Sequence, residues 1–140
     1  MYKRQYLKIV DRKKELIINA GGKNMSPANI EAKLKAGSPV IGQVVAIGDM
    51  KPYNVALITL DPDVAPAFAQ QHGEEAVLAE VERGVNAAND KMARVEQIKK
   101  YKVLPNEWEP GGEELTPTMK LKRKPINEKY VDEIEALYAG

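Results

Sequence analysis

The chain has no cysteine, and its 140 residues hold one histidine, one tryptophan and one phenylalanine. Without cysteine there is no disulfide, no zinc–thiolate site and no thiol nucleophile. A lone His72 leaves little room for imidazole base chemistry, so a reaction carried by this chain must rest on lysine, carboxylates or a bound metal. Near a predicted helix end, His72 reads as a surface residue favoured by the helix dipole. No apolar run approaches the ~18 residues of a membrane-spanning helix. The opening MYKRQ leads into a strand-like run rather than an apolar signal core, so a cytoplasmic location is expected. Charge of one sign is absent too: 21 basic against 20 acidic residues leave +1, no global field for nucleic acid or anionic membrane. What is present is ordinary for one globular domain, 44% hydrophobic and 29% charged residues.

The pattern of elements is mixed. YLKIV (6–10) and ELIIN (15–19) are β-type runs, and DRKK (11–14) between them predicts a charged hairpin turn. AGGKN (20–24) breaks the pattern. Ser26 then caps a helix with Pro27 at its first position, running to about Lys35 with Ile30 and Leu34 inward and stopping near Gly37. IGQVVAIGD (41–49) and VALITL (55–60) predict an antiparallel pair. Asp61-Pro62-Asp63 opens a helix that ends at Gly73. Val77, Val81, Val85, Ala88, Met92, Val95 and Ile98 recur every three or four residues, predicting one long helix over 74–100, bent near Gly84. A strand over 101–104, a loop over 105–112 anchored by Trp108, and a helix over 127–137 burying Tyr130, Ile134 and Leu137 complete the chain. The methionines read as core filler. The fold class is α+β: a small three-stranded antiparallel sheet with flanking helices and an N-terminal β-hairpin.

Two segments could carry chemistry. In 11–31, adjacent glycines before a capped helix start let a ligand approach the backbone, and a helix N-terminus favours anions. Equally, Gly21-Gly22 is a tight turn needing positive φ, and Glu31 caps or orders its loop rather than acting as a base. In LTPTMKLKRK (115–124), Thr116-Pro117-Thr118 fits neither helix nor central strand, so Lys120, Lys122, Arg123 and Lys124 are presented by a loop. That is a solvated basic segment, or a phosphate- or RNA-binding patch; few aromatics are interleaved, which argues against base stacking.

Taken together and in order, KELIINAGGKN with SPANIE, VNAAN, ARVEQIKKYKVL and LTPTMKLKR resemble the C-terminal domain of AMP-forming acyl-CoA synthetases. Within that adenylate-forming superfamily the long-chain fatty acid–CoA ligases are most similar. The resemblance covers residues 6 to about 138. It implies that residues 6–140 are the mobile lid of a ligase whose N-terminal adenylation domain holds fatty acid and ATP, and that residues 1–5 are a remnant outside the family pattern. It implies ATP, Mg2+ and coenzyme A as substrates or cofactors of the full-length enzyme, none held tightly by the lid, no nucleic acid, and room for peripheral membrane contact by the parent.

Residue by residue, the resemblance makes Lys120 the catalytic lysine, offsetting charge between the α-phosphate and the attacking carboxylate. Lys122 is the rival, with Lys122, Arg123 and Lys124 otherwise in packing or solvent contacts. Lys14 matches the hinge and Arg12 a nucleotide contact; each is otherwise an exposed turn residue or a surface ion pair. Gly21 and Gly22 match the loop lining the pantetheine tunnel, with Lys23 toward a CoA phosphate. No residue is assigned to metal. The isolated chain is expected to be inactive. The alternative is a stand-alone CoA- or nucleotide-binding regulatory module of the same fold.

Overall fold

The computed structural model describes residues 16–104 and 108–139. The expected strand over 6–10, Arg12 and Lys14 lie outside the described residues. Ile17–Ile18 (β1) pairs antiparallel with Asn24–Met25 (β2), so the N-terminal hairpin that is described closes around the two glycines. Ser26 then caps Pro27–Gly37 (α1), its side chain accepting the Asn29 N–H at 3.2 Å, with Pro27 where a missing N–H costs nothing.

Ile41–Ile47 (β3) and Asn54–Leu60 (β4) pair antiparallel as expected. Val64–His72 (α2) ends at Gly73, whose φ of 95° suits glycine. Glu74–Asp90 (α3) follows without a break, then a 3-10 turn over Arg94–Glu96 and Ile98–Val103 (β5). The chain ends in two helices, Arg123–Lys129 (α4) and Val131–Ala139 (α5). Among the described residues no helix is long and apolar enough to cross a membrane.

Three expectations need correction. First, β5 pairs with β4 in parallel, Ala56 opposite Tyr101, so the sheet is mixed rather than antiparallel. The α2–α3 crossover returns the chain to the end from which β4 started, which a parallel pairing requires. Second, α3 stops ten residues short of its expected end. Asn89 is the reason: its side chain accepts the Ile98 N–H and donates to the Ile98 carbonyl, at 2.9 and 3.0 Å, turning the chain into β5. Met92 and Ile98 keep the helical spacing because both bury in the same core. Third, the last helix is two, broken at Tyr130 and begun earlier, since Pro125 is tolerated in a first turn.

The sheet is covered on both faces, which explains the nearly uninterrupted apolar run of β4. Val44, Ala46, Ala56 and Ile58 face a core shared with Ile30, Leu34, Val81 and Val85. Val45 and Leu57 face Trp108, Leu115, Ile126 and Ile134. Of the methionines, Met25 and Met92 are buried, but Met50 and Met119 are exposed, both with positive φ.

The two long layers of helix meet where Gly37 and Gly84 cross. Beside that crossing the Ser38 hydroxyl donates to Glu80 at 2.7 Å, and Arg83 bonds the same carboxylate and the Gly37 carbonyl. Hydrogen bonds from Arg83 and then Ser38 lower the Glu80 pKa from 4.5 to about 2. A carboxyl depressed on folding adds stability above its unfolded value and loses it as pH falls through the folded one. Glu80→Gln should therefore cost about 1 kcal/mol at neutral pH, a value limited by the pair's solvent exposure. The gap to the parent chain should close between pH 4.5 and about 2. Thermal unfolding at pH 7 and pH 3 checks it.

Candidate functional site

Glu114 to Lys122 forms a small hairpin with a tight turn at its tip. Leu115 and Leu121 pair across it, and the Lys122 N–H donates to the Glu114 carbonyl at 2.8 Å. Thr116 closes the turn: its N–H donates to the Lys120 carbonyl at 2.8 Å and its hydroxyl accepts the Lys120 N–H at 3.0 Å. Pro117 cannot donate to a ladder, and Met119 sits at φ 71°, a conformation unusual for a residue with a side chain. The turn thereby holds the Lys120 backbone at both its N–H and its carbonyl. The Lys120 side chain is exposed and, among the described residues, its ammonium has no partner.

The neighbouring cations behave differently. The Lys122 ammonium is tied to the Gly112 carbonyl at 2.8 Å. Arg123, expected in packing or solvent contacts, instead makes a two-pronged ion pair with Glu31, at 2.7 and 2.8 Å. Lys124 is exposed. Of the four cations in the segment, the geometry thus leaves Lys120 and Lys124 open to solvent and commits the other two to the protein.

Two buried carboxylates hold the base of this hairpin. Glu31 lies on the inner face of α1 with Pro27, Ile30 and Leu34, and also accepts the Ala46 N–H of β3 at 2.8 Å. On the other side Glu114 accepts from Lys129 at 2.7 Å and from the Tyr130 hydroxyl at 2.9 Å, while the Trp108 indole donates to that hydroxyl at 3.1 Å. Lys129 also reaches Glu113, and the two carboxylates push its ammonium pKa up. Burial raises the Tyr130 phenol. Trp108 is therefore the loop anchor that the sequence suggests. Between α1 and the turn lies an open cleft of about 500 Å³, with Ala28, Ala32 and Lys35 on one wall and Met119, Lys120 and Leu121 on the other.

Glu31 thus neither caps the helix nor orders a loop: it lies within α1 and pairs with Arg123. Pro27, Ile30, Glu31 and Leu34 fall at helical spacing on one stripe, and a carboxylate on an apolar stripe requires a cation to meet it.

Gly21 and Gly22 form the turn of the β1–β2 hairpin. Gly22 has φ 87° and its N–H donates to the Asn19 carbonyl at 2.9 Å. Gly21 has ordinary backbone, and a Cβ built on it meets nothing closer than the Asn19 amide oxygen at 3.5 Å. Both glycines and Lys23 are exposed. Ala20 bonds the Lys51 carbonyl at 2.9 Å, fixing the loop to the β3–β4 connection. Among the described residues no hydrogen bond or ion pair joins this loop to the Lys120 turn. His72, the last residue of α2, is exposed and stacks near Phe68, ring centres 4.7 Å apart. Among the described residues no group of three or more His, Asp or Glu side chains is placed to hold a metal ion.

The profile of the AMP-binding enzyme C-terminal domain matches residues 14–140. A Mycobacterium tuberculosis protein designated fatty-acid–CoA ligase fadD11 is 53% identical over 145 residues, covering 96% of this chain and 25% of that protein. The long-chain-fatty-acid–CoA ligase FadD15 of the same organism is 41% identical over 145 residues, covering 95% and 24%. Among solved structures, the adenylation domain of a Mycobacterium chelonae carboxylate reductase shares the fold, with a TM-score of 0.75 at 22% identity over 91% of this chain and 20% of that one. The chain spans about a quarter of the length of the curated relatives it matches.

Proposed function

The chain belongs to the family of AMP-binding enzyme C-terminal domains, and from that premise we propose that it is the mobile lid of a long-chain fatty acid–CoA ligase. The lid serves two half-reactions in turn. In the first, a fatty carboxylate attacks the α-phosphorus of ATP, pyrophosphate leaves and an acyl-adenylate forms. In the second, the CoA thiol attacks the acyl carbon and AMP leaves.

One observation carries the assignment of the first half-reaction. Lys120 is an exposed cation, without a partner among the described residues, on a backbone fixed at both its N–H and its carbonyl, while Lys122 is spent on Gly112. A lysine is a compact point charge on a long stem, suited to meet charge that builds between carboxylate and α-phosphate. Mg2+ would partner the ATP phosphates, and the lid would add the Lys120 ammonium beside them. Arg12 as a nucleotide contact and Lys14 as the hinge fall on residues outside the described ones and rest on the family pattern.

For the second half-reaction the exposed Gly21-Gly22 turn lines the tunnel through which the pantetheine arm reaches the adenylate, with Lys23 beside a CoA phosphate. The adenylation domain and the fatty acid pocket belong to the rest of the ligase, working in the cytoplasm, and the 140 residues alone should not make acyl-CoA.

Gly21→Leu tests the reading. Because Gly21 has ordinary φ and open space around it, leucine there should leave the fold intact. In the full-length ligase it should slow transfer to CoA by about tenfold or more, since a misfit of ~1 Å near reacting atoms costs up to about 10²-fold. Pyrophosphate release in the first half-reaction should be unchanged. An unchanged transfer rate would remove the tunnel assignment.

A further inference from the structure

Glu31 occupies a position where the sequence pattern asks for an apolar side chain, and the structure supplies every group that an ionised carboxylate needs there. One oxygen accepts Arg123 Nη1 at 2.7 Å and the Ala46 N–H at 2.8 Å; the other accepts Arg123 Nη2 at 2.8 Å. The Glu31 side chain is 8% exposed and that of Arg123 23%. Stability alone does not explain such a pair, because well-packed apolar residues at a buried ion pair are often as stable or more so. What the pair adds is direction: a planar guanidinium meeting a carboxylate through two parallel hydrogen bonds admits one orientation.

That orientation is passed to Lys120 within three residues. Arg123 opens α4; Lys122 before it is bonded to Glu114 through its backbone, and Leu121 is bridged to Leu115. The turn at residues 116–120 bonds mainly to itself, and it stands across an open cleft from α1. The Glu31–Arg123 fork spans the base of that cleft, joining α1 and β3 to the strand end that carries Lys120.

We infer that Glu31, acting through Arg123, is the positioning residue for Lys120, fixing where the ammonium stands when the lid closes for adenylation. The inference rests on the reading of Lys120 as the adenylating lysine. It makes Glu31 and Arg123 matter to one half-reaction through Lys120 rather than through a contact of their own with substrate.

The test uses the full-length ligase and four variants: Glu31→Gln, Arg123→Lys, Lys120→Ala, and Glu31→Gln combined with Lys120→Ala. Pyrophosphate release measures adenylation, and acyl-CoA formation from supplied acyl-adenylate measures the second step. Glu31→Gln should lower the adenylation kcat about 10- to 100-fold, with KM for ATP and fatty acid little changed and the second step spared. Arg123→Lys, which keeps the charge and loses the fork, should give an intermediate loss. In the Lys120→Ala background Glu31→Gln should lower adenylation no further, because its effect passes through the missing ammonium. Full adenylation in a folded Glu31→Gln enzyme would overturn the inference. So would equal loss in both half-reactions, or the same fold-loss added on top of Lys120→Ala. If Glu31→Gln does not fold, Arg123→Lys must show the same split between half-reactions, and a symmetric loss there overturns the inference equally. Lys120→Ala alone reports on the underlying reading: unimpaired adenylation in that variant removes Lys120 from the reaction and the inference with it.

Discussion

Lys120→Ala in the full-length ligase is expected to slow acyl-adenylate formation by about 10²- to 10³-fold, the usual cost of removing one preorganised charge-stabilising group. Thioester formation from supplied adenylate should change less than twofold. The asymmetry follows from the role proposed for the ammonium. Negative charge accumulates on the α-phosphate oxygens as the carboxylate attacks, whereas in the second step the nucleophile is a thiol and the same phosphate departs as AMP. The loss should not reflect misfolding, because the Lys120 side chain is exposed and its backbone bonds to Thr116 do not depend on side-chain identity. Lys122→Ala is the control that separates the two rival lysines. Its ammonium holds the Gly112 carbonyl, so its loss should loosen the base of the hairpin without the half-reaction split. A larger adenylation defect in Lys122→Ala than in Lys120→Ala would reverse the assignment.

Gly37→Ala should cost the domain much of its stability. A Cβ at Gly37 would stand 2.3 Å from the Gly84 carbonyl oxygen, and one at Gly84 would stand 2.8 Å from the Ser38 Cβ. Both contacts are with backbone or with a short side chain in a hydrogen bond, so neither can swing aside. Alanine would gain about 1 kcal/mol of helix propensity over glycine. Overpacking costs about 1–3 kcal/mol and more where backbone must shift. The clash should win, with a net loss of about 2 kcal/mol. For a domain of this size the melting temperature should fall by roughly 5–10 °C. Urea unfolding of the 140-residue chain measures it; an unchanged midpoint would mean that α1 and α3 can separate without cost.

Much of this architecture was legible because local chemistry and global packing agree. Ser26-Pro27 marks a helix start whatever surrounds it, and the β-branched runs over 41–47 and 54–60 have no better use than a sheet. The direction of β5 was not legible. Nothing in IKKYKV tells a strand which way its neighbour runs; that is decided by how far α2 and α3 carry the chain before it returns. The overrun of α3 has a similar origin, since burial in one core imposes helical spacing on Met92 and Ile98 although neither is in the helix. Gly84 reads as a bend in isolation, but its partner Gly37 is distant in sequence, and the pair means close approach rather than curvature. At the site, the sequence brings out Lys120 and the two glycines as residues. The Glu31–Arg123 fork and the Glu114–Tyr130–Trp108 network join positions far apart in the chain, and such pairings become visible only in three dimensions.

The parallel pairing of β4 with β5 also sets an order of events as the chain folds. β3 and β4 are joined by a short connection and can pair early, at little loop-closure cost. β5 must wait for α2 and α3 to form and fold back, because its place beside β4 is reached only across that crossover. Its arrival completes the sheet on which Leu115, Ile126 and Ile134 pack. The hairpin bearing Lys120 packs Leu115 into the cluster that holds Val45 of β3 and Leu57 of β4, a surface the early pair already begins to present. The lysine proposed for adenylation thus sits on an exposed turn that bonds mainly to itself, the kind of element that opens locally at low cost when the domain breathes.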